Sequence, residues 1–209
     1  MLVFVAVALA SYLVGSIPSG YIAGRVAGID IREVGSGNIG ATNVTRQLGK
    51  RYGYAVFLAD FFKGLASVGL AAVVATEIQP GHVVELLELV GASFCVIGNT
   101  FPVWLGFKGG KGVATSAGAL FGLTPLAMFV AAVVWVITFR VTRYVSVASI
   151  SASLALPIVV LVISQANPDR GLLLFYFSLC LAALVVLRHR SNLSRLIHGT
   201  EQRFDRGEN

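Results

Sequence analysis

Apolar residues fall along this chain in blocks roughly 20 residues long, separated by short stretches that hold most of its charged positions. Such blocks predict membrane-spanning helices, because a segment in lipid must satisfy its own backbone polar groups. They run near Leu2–Gly24, Tyr54–Thr76, Val83–Leu105, Gly112–Leu123, Leu126–Phe139, Val145–Ser164 and Gly171–Leu187. The stretch Gly112–Phe139, broken at Thr124-Pro125, reads two ways. As one kinked span it brings the total to six. As two it gives seven, with a first half of 12 residues. That half is about 18 Å long at 1.5 Å per residue, short of a hydrocarbon core of roughly 30 Å.

The distribution of basic residues separates the two readings. Arg25, Arg32, Arg46, Lys50 and Arg51 lie in the first connection, and Lys108 and Lys111 in the third. Arg140 and Arg143 follow the divided stretch, and Arg188, Arg190, Arg195, Arg203 and Arg206 form the tail. Seven passes place all of these on the cytoplasmic side, leaving Arg170 outside and Lys63 within a span. The second connection, Glu77–Glu85, carries acids and no Lys or Arg, as an external loop should. Six passes would put the tail and the Arg140/Arg143 loop on the wrong side. The expected fold is therefore all-α and polytopic, with about seven transmembrane helices, N-terminus out and C-terminus in. The fourth is expected to be a short helix shielded by its neighbours.

Composition agrees: 56% of residues are hydrophobic and only 12% charged, against about 25% charged in ordinary globular domains. One integral membrane domain over residues 1–209 is the expectation, with the lipid bilayer as its solvent. The net charge of +6 would suit nucleic acid, but the basic residues are scattered between apolar blocks and topology accounts for them. No nucleic-acid partner is expected. Cys95 and Cys180 sit in apolar runs and read as small hydrophobes rather than a disulfide. The first block lacks a basic leader and reads as a retained helix, not a signal peptide. No repeat or low-complexity segment is evident. Leu193, Leu196 and Ile197 predict a short amphipathic helix in the tail.

Two glycine-rich stretches carry the candidate chemistry. In Gly35-Ser-Gly-Asn-Ile-Gly-Ala-Thr-Asn43 the glycines let backbone N–H groups converge on an oxyanion such as phosphate. Ser36, Asn38, Thr42 and Asn43 add side-chain donors, and Arg46 follows at once. The stretch formally matches G-x-G-x-x-G with Asp60 downstream, but no βαβ unit can be drawn around it, so a dinucleotide site is excluded. The second stretch, Phe107-Lys-Gly-Gly-Lys-Gly-Val-Ala-Thr115, is not a Walker A sequence. Leu105 stands where its first glycine belongs, and Gly112 where Ser or Thr should follow the lysine. Lys108 and Lys111 with Gly109 and Gly110 at a helix N-terminus still suit phosphate. Taken alone they would read equally well as topogenic lysines; the first stretch on the same face favours the anion site.

Asp60 and Lys63, one turn apart inside a span, read as an internal ion pair orienting a helix beside the site. Ser146, Ser149 and Ser153 share one helix face. Such serines often serve as helix-packing contacts, but Ser146 and Ser149 lie at the cytoplasmic end, within reach of a substrate. His189 and Asn192 lie one turn apart among Arg188, Arg190 and Arg195, in the same layer as both glycine stretches. His82 and His198 lack such company and read as structural or solvated. The three histidines fall in different segments without carboxylates at ligand spacing, so no metal site is expected.

In their order and spacing these motifs resemble the acyl-phosphate:glycerol-3-phosphate acyltransferase (PlsY) family of bacterial membranes, nearly end to end. The resemblance rests on Gly35–Asn43 with Arg46, Asp60-x-x-Lys63-Gly64, and Phe101-Pro-Val ahead of Phe107–Thr115. It continues in Ser146-Val-Ala-Ser149 and in His189-Arg-x-Asn192-Leu-x-Arg195-Leu-x-x-Gly199-x-Glu201. The family pattern resembles Gly-His where this chain has Gly98-Asn99; asparagine keeps the capacity for a hydrogen bond.

The resemblance implies acyl transfer from a fatty acyl phosphate to the 1-hydroxyl of glycerol 3-phosphate, giving lysophosphatidic acid for phospholipid synthesis. It implies a multi-pass protein of the bacterial cytoplasmic (inner) membrane with its active site on the cytoplasmic side. It leaves room for the enzyme that makes acyl phosphate as a further partner. The H-x-x-x-x-D pair of other acyltransferases is absent. An acyl phosphate is already activated, so no cofactor is needed. The protein must hold two phosphates, align hydroxyl with carbonyl, and stabilise the developing oxyanion. Arg46, Lys108, Lys111 and the first-stretch amides, including Gly35 and Gly37, are assigned to anions. Ser36 and Asn38 are the oxyanion candidates. His189, Asn192, Ser146 and Ser149 are assigned to glycerol 3-phosphate, and Asp60, Lys63 and Asn99 to support. Either His189 or a substrate phosphate oxygen would take the proton. The competing class is a transporter of a phosphorylated metabolite. Binding residues at one face rather than mid-membrane, and the lack of an inverted repeat, weigh against it.

Overall fold

The computed structural model describes residues 1–78, 82–163 and 168–204, with the side chains of 76–78, 82 and 168–170 excepted. Among these residues the fold is all-helical. The helices are α1 (Leu2–Ser16), α2 (Ser19–Val26), α3 (Ala41–Leu48), α4 (Lys50–Ile78), α5 (His82–Thr100), α6 (Val113–Leu123), α7 (Pro125–Thr142), α8 (Val145–Ile163), α9 (Pro168–Arg188) and α10 (Arg190–Ile197). Six helical segments are long and apolar enough to cross a membrane: Leu2–Val26, Lys50–Ala75, Val83–Leu105, Pro125–Thr142, Val145–Ile163 and Gly171–Arg188. Helix α6 is shorter, at 11 residues. Ser164 and Arg206, named in the topology reading, lie outside the described residues, as do residues 79–81 of the second connection and the side chains of Glu77, His82 and Arg170.

Proline sets two of the breaks. Pro18 has no N–H to continue α1, so the first span pauses at Ile17-Pro18 and resumes as α2. Pro125 opens α7 at a position where no intrahelical donor is needed, and this divides the Gly112–Phe139 stretch into two helices.

The chain forms two compact units, residues 1–123 and 124–208. In the first, α1 packs on α5, and α4 packs on both α5 and α6. The short α6 is held close to α4: a methyl at Gly118 would run into the Phe61 carbonyl. Small residues at such contacts let helices approach in the absence of a hydrophobic drive between them. One apolar cluster, Val7, Ala71, Ala75 and Leu87, joins α1, α4 and α5. A second, Ile31, Ile39, Val44 and Val56, lies under the first glycine stretch. In the second unit α8 packs between α7 and α9. In the tail helix α10 Leu193 and Leu196 are half-buried, and Ile197, one turn past Leu193 on the same face, is 83% exposed.

Candidate active site

The first glycine stretch is half loop and half helix. Gly35 and Gly37 take the left-handed backbone (φ 59° and 68°) that favours glycine, and Gly40 caps α3 in an extended conformation. Thr42, Asn43 and Arg46 therefore stand on α3 rather than in a loop. Several amides of the stretch serve the loop itself. The N–H of Ser36 donates to Asn43 Oδ1 (3.0 Å), that of Gly37 to the Val34 carbonyl (3.1 Å), and that of Gly40 to Asn38 Oδ1 (2.8 Å). At the start of α3 the Asn43 amide donates to the Gly40 carbonyl (3.1 Å), while helix geometry gives the amides of Ala41 and Thr42 no intrahelical partner.

Asn43 is the scaffold of this loop. It is 2% exposed, and its Nδ2 donates to the carbonyls of Ile31 (3.2 Å) and Val34 (3.1 Å) while Oδ1 accepts from Ser36. Ser36 itself is exposed, and Asn38 is half-buried with Oδ1 engaged, which turns its NH₂ to the role of donor. Upstream, Arg32 closes on Asp30 at 2.6 Å and lies over the Tyr21 ring. The guanidinium holds the Asp30 carboxyl down at about 2.

The turn just ahead of the second stretch reaches the apolar cluster of the first. Leu105, in the 3-10 turn Val103–Leu105, packs against the Ile31/Ile39/Val44/Val56 cluster. The chain then passes through Gly106 and Phe107, both left-handed (φ 58° and 63°), into Lys108. Lys108 is exposed, Lys111 half-buried, and Gly109 and Gly110 buried. The amides of Gly109 and Gly110 donate to the carbonyls of Thr100 (3.2 Å) and Asn99 (3.0 Å). Both glycine stretches thus belong to one unit, and the turn leading into the second packs on the apolar cluster of the first.

Beneath them, Lys63 and Asp60 pair at 2.8 Å, each 7% exposed. Lys63 Nζ also donates to Asn99 Oδ1 (2.7 Å) and to the Ile17 carbonyl (3.0 Å). Asn99 therefore uses its side chain as an acceptor for an ammonium. Ser19, which the sequence reading passed over, donates its hydroxyl to Asp60 Oδ1 at 2.9 Å.

The second unit brings together another group. Ser146 Oγ (2.8 Å) and Asn192 Nδ2 (2.6 Å) donate to Oε1 of Glu201, and Arg195 Nε donates to Oε2 (2.7 Å). Glu201 was visible in the sequence only as a motif position, without a role. Its acid stands among basic tail residues, which is the one local signal for it. Burial pushes the Glu201 carboxyl up, but the hydrogen bonds from Asn192, Arg195 and Ser146 outweigh it and hold it below the ordinary range. The tail continues onto α7 and its turn, with the Phe204 amide donating to the Arg143 carbonyl (3.0 Å), Arg143 Nε donating to the Phe204 carbonyl (3.0 Å) and Arg203 Nε donating to Tyr144 OH (2.9 Å). Ser149 accepts from Trp135 Nε1 at 3.1 Å. His189, 2% exposed, contacts the Val185 carbonyl through Nδ1 at 2.7 Å. If Nδ1 carries the proton, the neutral ring keeps its lone pair on Nε2. His198 is exposed and bonds the Ser194 carbonyl within its own helix. No group of His, Cys, Asp and Glu suited to a metal occurs among the described residues.

The profile of the family described as glycerol-3-phosphate acyltransferase matches residues 5–199. Proteins named glycerol-3-phosphate acyltransferase from Geotalea daltonii and Prochlorococcus marinus are similar to this chain. They are 42% and 46% identical, over 95% and 92% of this chain and 96% and 94% of theirs. The fold is similar to the crystal structure of PlsY, an integral membrane glycerol 3-phosphate acyltransferase. Its glycerol 3-phosphate form gives a TM-score of 0.85 at 37% identity, covering 97% of this chain and 96% of that one. Its lysophosphatidic acid form gives 0.82 at 36%, covering 97% and 95%. With a family profile spanning almost its whole length and relatives this similar, the chain belongs to the glycerol-3-phosphate acyltransferase family.

Proposed function

We propose that this protein transfers a fatty acyl group from acyl phosphate to the 1-hydroxyl of glycerol 3-phosphate, releasing lysophosphatidic acid and phosphate. The observation that supports the reading is that two cation-bearing glycine stretches, Gly35–Arg46 and Lys108–Lys111, belong to one unit, the turn just ahead of the second packing on the apolar cluster of the first. That arrangement suits a substrate with a phosphate in water and a chain in lipid. The hydroxyl oxygen attacks the acyl carbonyl carbon and forms the ester bond. The bond from that carbon to the bridging oxygen breaks, and phosphate leaves with the electron pair. Arg46, Lys108 and Lys111 hold phosphate, and Ser36 and the Asn38 NH₂ stabilise the oxyanion. Gly35 and Gly37 shape the first stretch, and Thr42 adds a hydroxyl at the first turn of α3. His189, Asn192, Ser146 and Ser149 orient glycerol 3-phosphate. The hydroxyl proton passes to His189 Nε2 or to a phosphate oxygen.

The basic residues support a chain crossing the bacterial cytoplasmic membrane seven times, with α6 as the short fourth crossing and the site on the cytoplasmic side. The test is phosphate release by the purified protein in detergent. Release that requires both acyl phosphate and glycerol 3-phosphate, and that acyl-CoA does not support, is the expected result. Indifference to glycerol 3-phosphate would overturn the reading, and use of acyl-CoA would overturn the donor.

A further inference from the structure

A lysine ammonium has three protons to donate. Those of Lys63 meet three acceptors of different origin: Asp60 Oδ1 at 2.8 Å, Asn99 Oδ1 at 2.7 Å and the Ile17 carbonyl at 3.0 Å. The last is within reach because the chain breaks at Pro18, where a continuous helix would have used that carbonyl internally. Ser19, just past the break, donates to the same Asp60 oxygen at 2.9 Å. One cation therefore fastens the α1/α2 break to α4 and α5.

The far side of Asn99 leads to the anion site. Its backbone carbonyl receives the Gly110 amide at 3.0 Å, and that of Thr100 receives the Gly109 amide at 3.2 Å. A methyl at Gly109 would run into the Asn99 carbonyl and the Pro102 ring, so the second stretch sits directly on this segment. Lys108 and Lys111 flank these two glycines, and a shift of Asn99 moves both cations. Neutral, well-packed side chains often replace a buried ion pair without loss of stability. Stability alone therefore does not call for a lysine here, whereas fixing a direction does.

We infer that Lys63 is a positioning residue that sets the second glycine stretch for phosphate, and that Ser19 works with it by holding Asp60 in place. This deepens the proposed function and rests on its assignment of Lys108 and Lys111 to phosphate. Neither Lys63 nor Ser19 touches substrate. They act through Asn99.

Binding of inorganic phosphate to the full-length protein in detergent, followed by calorimetry, tests the inference apart from turnover. The KM of each substrate and the thermal unfolding midpoint accompany it. Ser19→Ala should weaken phosphate binding about tenfold and raise one substrate KM in parallel, with the midpoint within a few degrees of wild type. Ser11→Ala, which removes another buried hydroxyl from the first span, should leave phosphate binding unchanged. The neutral pair Asp60→Asn/Lys63→Met should fold yet bind phosphate at least tenfold more weakly. Ser19→Ala decides even where Lys63 variants do not accumulate. Wild-type phosphate affinity in Ser19→Ala, or in the folded neutral pair, would overturn the inference. A wild-type protein that binds phosphate but forms no ester would overturn the proposed function and leave this one standing on the affinities.

Discussion

Ser146 and Asn192 donate to one carboxylate oxygen, Oε1 of Glu201, at 2.8 and 2.6 Å. Two residues assigned to glycerol 3-phosphate are thus oriented by a third that lies beyond the last helix. With Arg195 on the other oxygen, Glu201 ties α8, α10 and the tail into one group. An anion that gathers a hydroxyl, an amide and a guanidinium also fixes where their remaining hydrogen-bonding capacity points.

Glu201→Ala should lower stability by about 2 kcal/mol, because charged hydrogen bonds are lost and their donors are left in a largely buried place. Activity should fall with it. The pH dependence has a definite sign. The folded carboxyl lies below its ordinary 4.5, so its contribution is fully present above 4.5 and fades as pH falls through the lowered folded value. Thermal unfolding between pH 7 and pH 3 should show an acid loss that Glu201→Gln flattens. An identical acid limb in the variant would remove Glu201 as its source.

Asn43→Leu should disorder the first glycine stretch. Its amide fills three backbone positions, from Ile31, Val34 and Ser36, and leucine leaves all three unsatisfied. A loss of about 1–3 kcal/mol is expected, with higher KM for a phosphate-bearing substrate. Asn43→Asp keeps the acceptor for Ser36 but turns a carboxylate toward two carbonyls, and should do no better. Normal kinetics in Asn43→Leu would show that the loop holds its shape without it.

How far the sequence anticipated this follows physical lines. Features that depend on neighbours in the chain were legible: the apolar blocks, the helix break at Pro125, and the Asp60/Lys63 pair one turn apart. Features that depend on distant partners were not. Ser19 meets Asp60 across 41 positions, and Ser146 meets Glu201 across 55. Asn43 was legible as a polar residue in a glycine-rich run. Whether its amide faces a ligand or its own loop depends on the backbone path at Gly35 and Gly37, which no local spacing reports.

The basic residues predict an outer N-terminus and an inner C-terminus. In intact cells, an impermeant thiol reagent should label a cysteine introduced at Gly81 and miss one introduced at Ser191, in a background lacking Cys95 and Cys180. The reverse pattern would sink the seven-crossing topology.

Arg46→Ala and Lys111→Ala should each lower activity by two orders of magnitude or more while leaving expression near normal. On the proposed function each provides a charge-assisted hydrogen bond to phosphate that water replaces poorly. Lysine at position 46 should recover only part of the loss, since it offers a point charge in place of a planar fork. Near-wild-type rates in both alanine variants, at saturating and limiting substrate, would show that neither cation holds phosphate.

His189→Ala separates binding from proton transfer. The ring is buried, its Nδ1 contacts the Val185 carbonyl, and Asn192 stands one turn away. The expected outcome is a higher KM for glycerol 3-phosphate with little change in the KM for acyl phosphate, because the proposed function assigns the residue to the acceptor side. If His189 also takes the hydroxyl proton, kcat falls as well, and the acid limb of the wild-type pH profile, where the imidazole is protonated, disappears from the variant. If a phosphate oxygen takes the proton, that limb survives the substitution. Steady-state kinetics with each substrate varied in turn, across pH, read both effects from one set of rates. A variant with the wild-type KM, kcat and pH profile would return His189 to the role of a helix-end residue held by its own backbone.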